Sequence, residues 1–86
     1  ASHMPSYCLK DEDFKDGSID ILAVLTCSGL SGSRSEARRN VEQGGVSVDG
    51  TQEKDVKKTF TREDFAGDGK VIKRGKKNFV RVYAEE

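Results

Sequence analysis

Three arginines, Arg34, Arg38 and Arg39, fall close together in the run S-R-S-E-A-R-R-N-V-E. A guanidinium is planar, permanently charged and offers parallel N–H donors, so the chemistry these residues suit best is phosphate recognition. A second basic group follows at 70–81, where Lys70, Lys73, Arg74, Lys76, Lys77 and Arg81 stand with no acid among them. Residues 10–20 show the opposite bias, with Asp11, Glu12, Asp13, Asp16 and Asp20 against Lys10 and Lys15. The 86-residue chain is neutral overall, with 15 basic and 15 acidic side chains. Exposed charges act mainly over about 10 Å at moderate salt, so neutrality does not stop one face from binding a polyanion.

No catalytic set competes with that reading. The single histidine, His3, lies in residues 1–4, which read as a cloning remnant. The sequence has no Ser/His/Asp set, nucleotide P-loop or dinucleotide fingerprint, and G-D-G at 67–69 reads as a turn. Cys8 and Cys27 make neither a disulfide framework nor a zinc set. Both are expected as reduced thiols in a cytosolic-type compartment, with Cys27 a buried structural thiol and not a nucleophile. With no membrane-length apolar run and no secretory signal, a soluble, cytoplasmic module is expected.

The elements that must carry the arginines follow from local signals. Ser33 and Glu36 have capping-box spacing, and Gly44-Gly45 ends the helix about nine residues on. Ala37 and Val41 mark its buried side, Arg39 points away from them, and Arg34 and Arg38 share a flank. A plainer arrangement of the same residues pairs Arg38 with Glu42 and leaves the other two solvated. Val46-Ser47-Val48 alternates as a half-buried strand before the hairpin-turn pair Asp49-Gly50. Upstream, Ser18 is expected to cap a helix over 19–28, with Leu30 packed beneath the helix junction. Residues 5–17 read as a linker or loosely attached extended segment, with Tyr7, Leu9 and Phe14 as anchors. The folded domain is then 18–83. Thr51 to Lys58 reads as a short edge strand and a loop. Thr61 caps a single helical turn, stapled by Phe60 and Phe65. Residues 70–74 and 78–83 form a hairpin with Val80 and Val82 on one face and Phe79, Arg81 and Tyr83 on the other. The fold class is α+β: two or three short helices on a small, mostly antiparallel, twisted sheet.

Over residues 33–50, S-R-S-E-A-R-R-x-V-E-Q-G-G-V-S-V-D-G resembles the RNA-binding domain named after the fourth small-subunit ribosomal protein, the alpha-L motif. R-G-K-K-N-F-V-R-V at 74–82 resembles the end of bacterial and organellar tyrosyl-tRNA synthetases, and I-D-I-L-A-V-L with S-G-L at 28–30 fits their preceding helix. The resemblance covers roughly residues 18 to 82. It implies a C-terminal tRNA-binding domain that docks the tRNA body and long variable arm. The ATP-dependent joining of tyrosine to tRNA would belong to a catalytic part outside these residues. The domain itself would need no cofactor, the parent would be a homodimer, and the fragment a monomer.

The RNA-binding set expected on these grounds has three parts. Arg34, Arg38 and Arg39 offer bidentate phosphate contacts from the helix. Ser33, Ser35 and the first-turn N–H groups add a site at the positive helix end. Lys73, Arg74, Lys76 and Lys77 contribute from the hairpin. The resemblance adds Gln43 and Lys54. A base could stack on Phe79 or Tyr83, although hairpin aromatics more commonly belong to a core. Such contacts read RNA shape more than sequence. Asp49 stands where the family commonly has asparagine, and Thr51 and Gln52 where a basic residue is often seen, so the 49–52 turn is expected to contribute less. The alternatives are the RNA-binding appendage of a pseudouridine synthase, a ribosome-associated factor, and a basic module that docks onto an acidic protein.

Overall fold

The computed structural model describes residues 5–84. Seven strands and two helices run in the order β1 (Ser6–Leu9), β2 (Ser18–Asp20), α1 (Ile21–Cys27), α2 (Arg34–Glu42), β3 (Val46–Val48), β4 (Thr51–Gln52), β5 (Thr59–Thr61), β6 (Lys70–Arg74) and β7 (Asn78–Ala84). A five-stranded sheet has the order β1-β7-β6-β3-β4, and β2 with β5 makes a second, two-stranded sheet. All pairings are antiparallel except β1 with β7. This is the expected α+β architecture.

Strand alternation decides where the core lies. Val80 and Val82 of β7, Ile72 of β6 and Val46 of β3 point inward and are buried. Ile21, Val24 and Leu25 of α1 and Ala37 and Val41 of α2 join them in one cluster. Ile19 and Phe60, paired across the small sheet, close the same cluster together with Phe65. Phe60 and Phe65 have ring centroids 5.4 Å apart, as expected for a staple across the Thr61 cap. The Asp64 carboxylate accepts from the Thr61 N–H at 2.8 Å and holds that single 3₁₀ turn.

Two local expectations change. Residues 5–17, expected as a linker or loosely attached segment, hold a strand: β1 lies parallel to β7, with Ser6 opposite Arg81 and Leu9 opposite Ala84. Leu9 is fully buried, and Tyr7 and Phe14 pack partly buried against the core, Phe14 edge-on to Phe65 at 6.4 Å, so all three expected anchors hold this segment. The helix expected from Ser18 starts later, because residues 18–20 pair with β5. Its cap is Asp20, whose Oδ1 accepts from the Ala23 N–H at 3.1 Å. The expected end stands, with Ser28 as C-cap and Gly29 at φ +83°.

If β1 is part of the core, Leu9→Ala should lower the unfolding free energy by about 3 kcal/mol, the cost of a buried leucine truncation. A urea titration reads this directly. A midpoint no different from that of the unsubstituted chain would return residues 6–9 to a linker.

Candidate nucleic-acid interface

Helix α2 is placed by contacts at both ends. At the start, Ser33 Oγ accepts from the Glu36 N–H at 3.2 Å, which is half of the expected capping box. The other half moves back one residue: Glu36 Oε2 accepts from the Gly32 N–H at 3.1 Å. Arg34 turns toward Asp20, with Nη2 2.6 Å from Oδ2 and Nη1 3.3 Å from Oδ1. That carboxylate therefore caps α1 and grips the first residue of α2. Burial opposes ionisation of Asp20. The Arg34 hydrogen bond, the Ala23 N–H and the Arg34 charge outweigh it, so the carboxyl is held below the usual carboxylate range.

At the far end, Gly44 takes φ +76°, and the Gln52 amide donates to its carbonyl at 2.7 Å. A Cβ on Gly44 would come 2.7 Å from Gln52 Nε2 and 3.2 Å from Lys54 Cε, so both side chains lie over this turn. The Gly75 N–H donates to Gly45 O at 2.7 Å and ties the β6–β7 turn to the end of the helix. Gly44, Gly45, Ser47, Gln52, Lys73 and Lys76 accordingly line one open depression of about 390 Å³.

The expected binding residues divide by what they touch. Arg39, Lys54, Lys73, Lys76 and Lys77 are exposed and form no ion pair among the described residues. Ser35 and Gln43 are exposed beside them, at the first turn and at the C-cap of α2. Arg38 takes the plainer arrangement in part, with Nε 3.6 Å from Glu42 Oε2, but both side chains are more than half exposed. A pair so open to water is worth little and exchanges readily for another anion. Arg74 is different: it is half-buried, and its Nε donates to the Leu30 carbonyl, bracing β6 against the helix junction. Arg34 keeps donors beyond the two given to Asp20 and remains 58% exposed.

Asp20 and Gln52 were not legible as parts of this surface. Asp20 fell within an acidic run, and Gln52 counted only as a missing positive charge. At the 49–50 turn both residues have positive φ, 51° and 86°, the hairpin geometry that D-G favours. Asp49 accepts from the Val71 N–H at 2.9 Å and draws Lys70 to 3.4 Å, which lowers the positive charge there. Cys27 is half-buried rather than fully enclosed, with Sγ 3.9 Å from Asp13 Oδ1. Burial and then the Asp13 charge push its pKa up, which disfavours the nucleophilic thiolate. No helix among the described residues is long and apolar enough to cross a membrane.

Comparison with known proteins matches the chain to one family. A family model described as the tyrosine–tRNA ligase SYY-like C-terminal domain covers residues 1–82. The tyrosine–tRNA ligase of Lachnoclostridium phytofermentans is 40% identical over 86 residues, taking in 99% of this chain and 21% of the relative. That of Clostridium beijerinckii is 35% identical over 81 residues, covering 94% of this chain and 19% of its own. That of Clostridium botulinum strain Loch Maree is 39% identical over 83 residues, covering 96% and 20%. The chain thus spans about a fifth of the length of these relatives.

The Asp20 contacts carry a pH signature. The unfolded carboxyl titrates near 3.8 and the folded one lower, so the stabilisation is present above 3.8 and is lost as pH falls through the folded value. Asp20→Asn keeps a capping oxygen and should flatten that acid limb of the urea midpoint. Asp20→Ala should in addition cost about 1 kcal/mol at neutral pH through the lost cap. An acid limb unchanged in Asp20→Asn would show that the pair with Arg34 does not couple to folding.

Proposed function

Because the chain belongs to the SYY-like C-terminal domain family of tyrosine–tRNA ligases, we propose that it is a tRNA-docking module. It holds the tRNA body and long variable arm against α2 and the β6–β7 turn. The observation that carries this reading is the Gly75–Gly45 hydrogen bond, which ties the turn bearing the exposed Lys76 and Lys77 to the C-terminal end of the arginine helix. Arg38 and Arg39 supply the forked donors, with Arg34 alongside them through the N–H groups that Asp20 leaves unused. Ser33, Ser35 and the positive end of α2 serve a phosphate at one end. Gln43, Lys54, Lys73, Lys76 and Lys77 serve the backbone at the other. Arg74 takes part only through the bracing contact to Leu30. The helix is about 13 Å long by its nine residues, so the two ends meet different phosphates of one groove.

The domain supplies affinity and orientation, and reads shape more than sequence. Activation of tyrosine with ATP, and its transfer to the tRNA, belongs to the remainder of the ligase. The domain acts as a monomer within a homodimeric cytoplasmic parent.

An NMR titration with a long-variable-arm tRNA, with a short-arm tRNA as control, tests the proposal. The amides of 34–39 and 73–77 should shift together, more strongly with the long arm, and the response should weaken steeply with salt. Arg38→Ala/Arg39→Ala and Lys76→Ala/Lys77→Ala should each weaken binding and lower the log–log salt slope by about one for every phosphate no longer neutralised. Absence of a response to either tRNA would remove the docking role and leave an interaction with an acidic protein as the better account.

A further inference from the structure

The five-stranded sheet has a face that the helices leave uncovered. Alternation along its strands puts Ser6 and Cys8 of β1, Phe79, Arg81 and Tyr83 of β7, Val71 and Lys73 of β6, Ser47 of β3 and Gln52 of β4 on that side. The buried residues of both helices cluster with the opposite side, around Ile72, Val80 and Val82. Phe79 and Tyr83 are each half-buried, and neither is among the residues packed on the hydrophobic core. The hairpin aromatics thus depart from the core role that such residues commonly take.

We propose that this face is a stacking platform for unpaired nucleotides of a bound RNA, adjoining the phosphate-docking surface at Lys73. It rests on the reading of the chain as an RNA-docking module. Phe79 and Tyr83 sit four positions apart on one strand, about 13 Å by strand rise, with Arg81 between them. Lys73 stands directly across from Phe79, and Val71 across from Arg81. The Arg81 Nη1 donates to the Asp68 carbonyl at 2.8 Å, which ties this side chain to the loop before β6. No Asp or Glu is among the strand residues of this face.

That pairing of rings with cations decides the occupant. A protein partner would be met by an apolar centre depleted of charge, whereas here Lys73 lies across from Phe79 and Arg81 stands between Phe79 and Tyr83 along the strand. A nucleotide strand needs both: a π-face for the base and a positive charge for each phosphate. The cations also continue off the strand into Lys76 and Lys77 of the turn. A strand leaving the docked helix of an RNA therefore passes the turn and crosses β7 with its bases on Phe79 and Tyr83. Aromatic residues on an open sheet serve single-stranded RNA in this way in other modules.

The test compares two probes on the 86-residue chain: a short oligoadenylate, and a blunt RNA duplex with no unpaired bases. Phe79→Ala and Tyr83→Ala should each weaken oligoadenylate binding about tenfold and leave duplex binding unchanged. Tyr83→Phe, which keeps the ring, should bind like the parent chain. With no tryptophan present, tyrosine emission reports stacking, and its quenching by oligoadenylate should be lost in Tyr83→Ala. A urea midpoint near that of the parent confirms that the variants are folded. If the alanine variants bind oligoadenylate as tightly as the parent, the platform is overturned, and the face is left to cover another protein surface. Equal loss of duplex binding would overturn it too. If the parent binds the duplex through Arg38 and Arg39 but ignores oligoadenylate, this inference alone falls. If it binds neither RNA, the docking role falls with it.

Discussion

Helix α2 has nine residues and buries only Ala37 and Val41, so its own face cannot fix its position. The candidate surface depends on how its two ends are tied. Asp20 does this at the start, joining the cap of α1 to Arg34. Gln52 and Gly75 do it at the finish, through the carbonyls of Gly44 and Gly45. Each contact ends on backbone or on a short acid, which leaves Arg39 unpaired among the described residues and Arg38 only in its open pair with Glu42. A helix held by its ends can offer its whole outward flank to a partner without losing its place.

The same division explains why a neutral chain has a basic side. Acids are spent locally: Asp20 on Arg34, Asp11 on Arg62, Asp49 on Lys70 and on the Val71 N–H, Asp64 on the Thr61 N–H. Among the described residues, the cations at the helix centre and the β6–β7 turn have no such partner apart from the open Arg38–Glu42 pair. Net charge therefore says little about what the surface can bind, and the placement of each acid says much.

What was legible in the sequence was local. The Ser33 cap, the Gly44 stop, the Asp49-Gly50 turn and the alternation of β7 are each set by residues within a few positions, and each appears as read. Strand β1 was not legible, because four residues pair with a strand some seventy-five positions away, a separation that leaves no local trace. The start of α1 was misplaced for a related reason: residues 18–20 are claimed by distant β5, so the capping role passes from Ser18 to Asp20. A second local signal stands in the acidic run. Asp16-Gly17, both at positive φ, makes a turn of the same kind as Asp49-Gly50 and brings Lys15 against Ser18. Among the site residues, type and spacing pointed alike to Arg34, Arg38 and Arg39 and to Lys73, Arg74, Lys76 and Lys77. The Leu30 contact of Arg74 and the Asp20 contact of Arg34 depend on tertiary neighbours that spacing does not encode.

The parallel placement of β1 beside β7 has a mechanical meaning. A pull applied at residue 5 and resisted at residue 84 acts along two neighbouring strands from opposite ends. The evenly spaced ladder bonds between them then share the load instead of parting one at a time. Leu9, locked in the core at the far end of β1, acts as the stop for that sliding motion. A pull between these two residues thus loads the β1–β7 pair, and the helix that holds the arginines lies outside that pair.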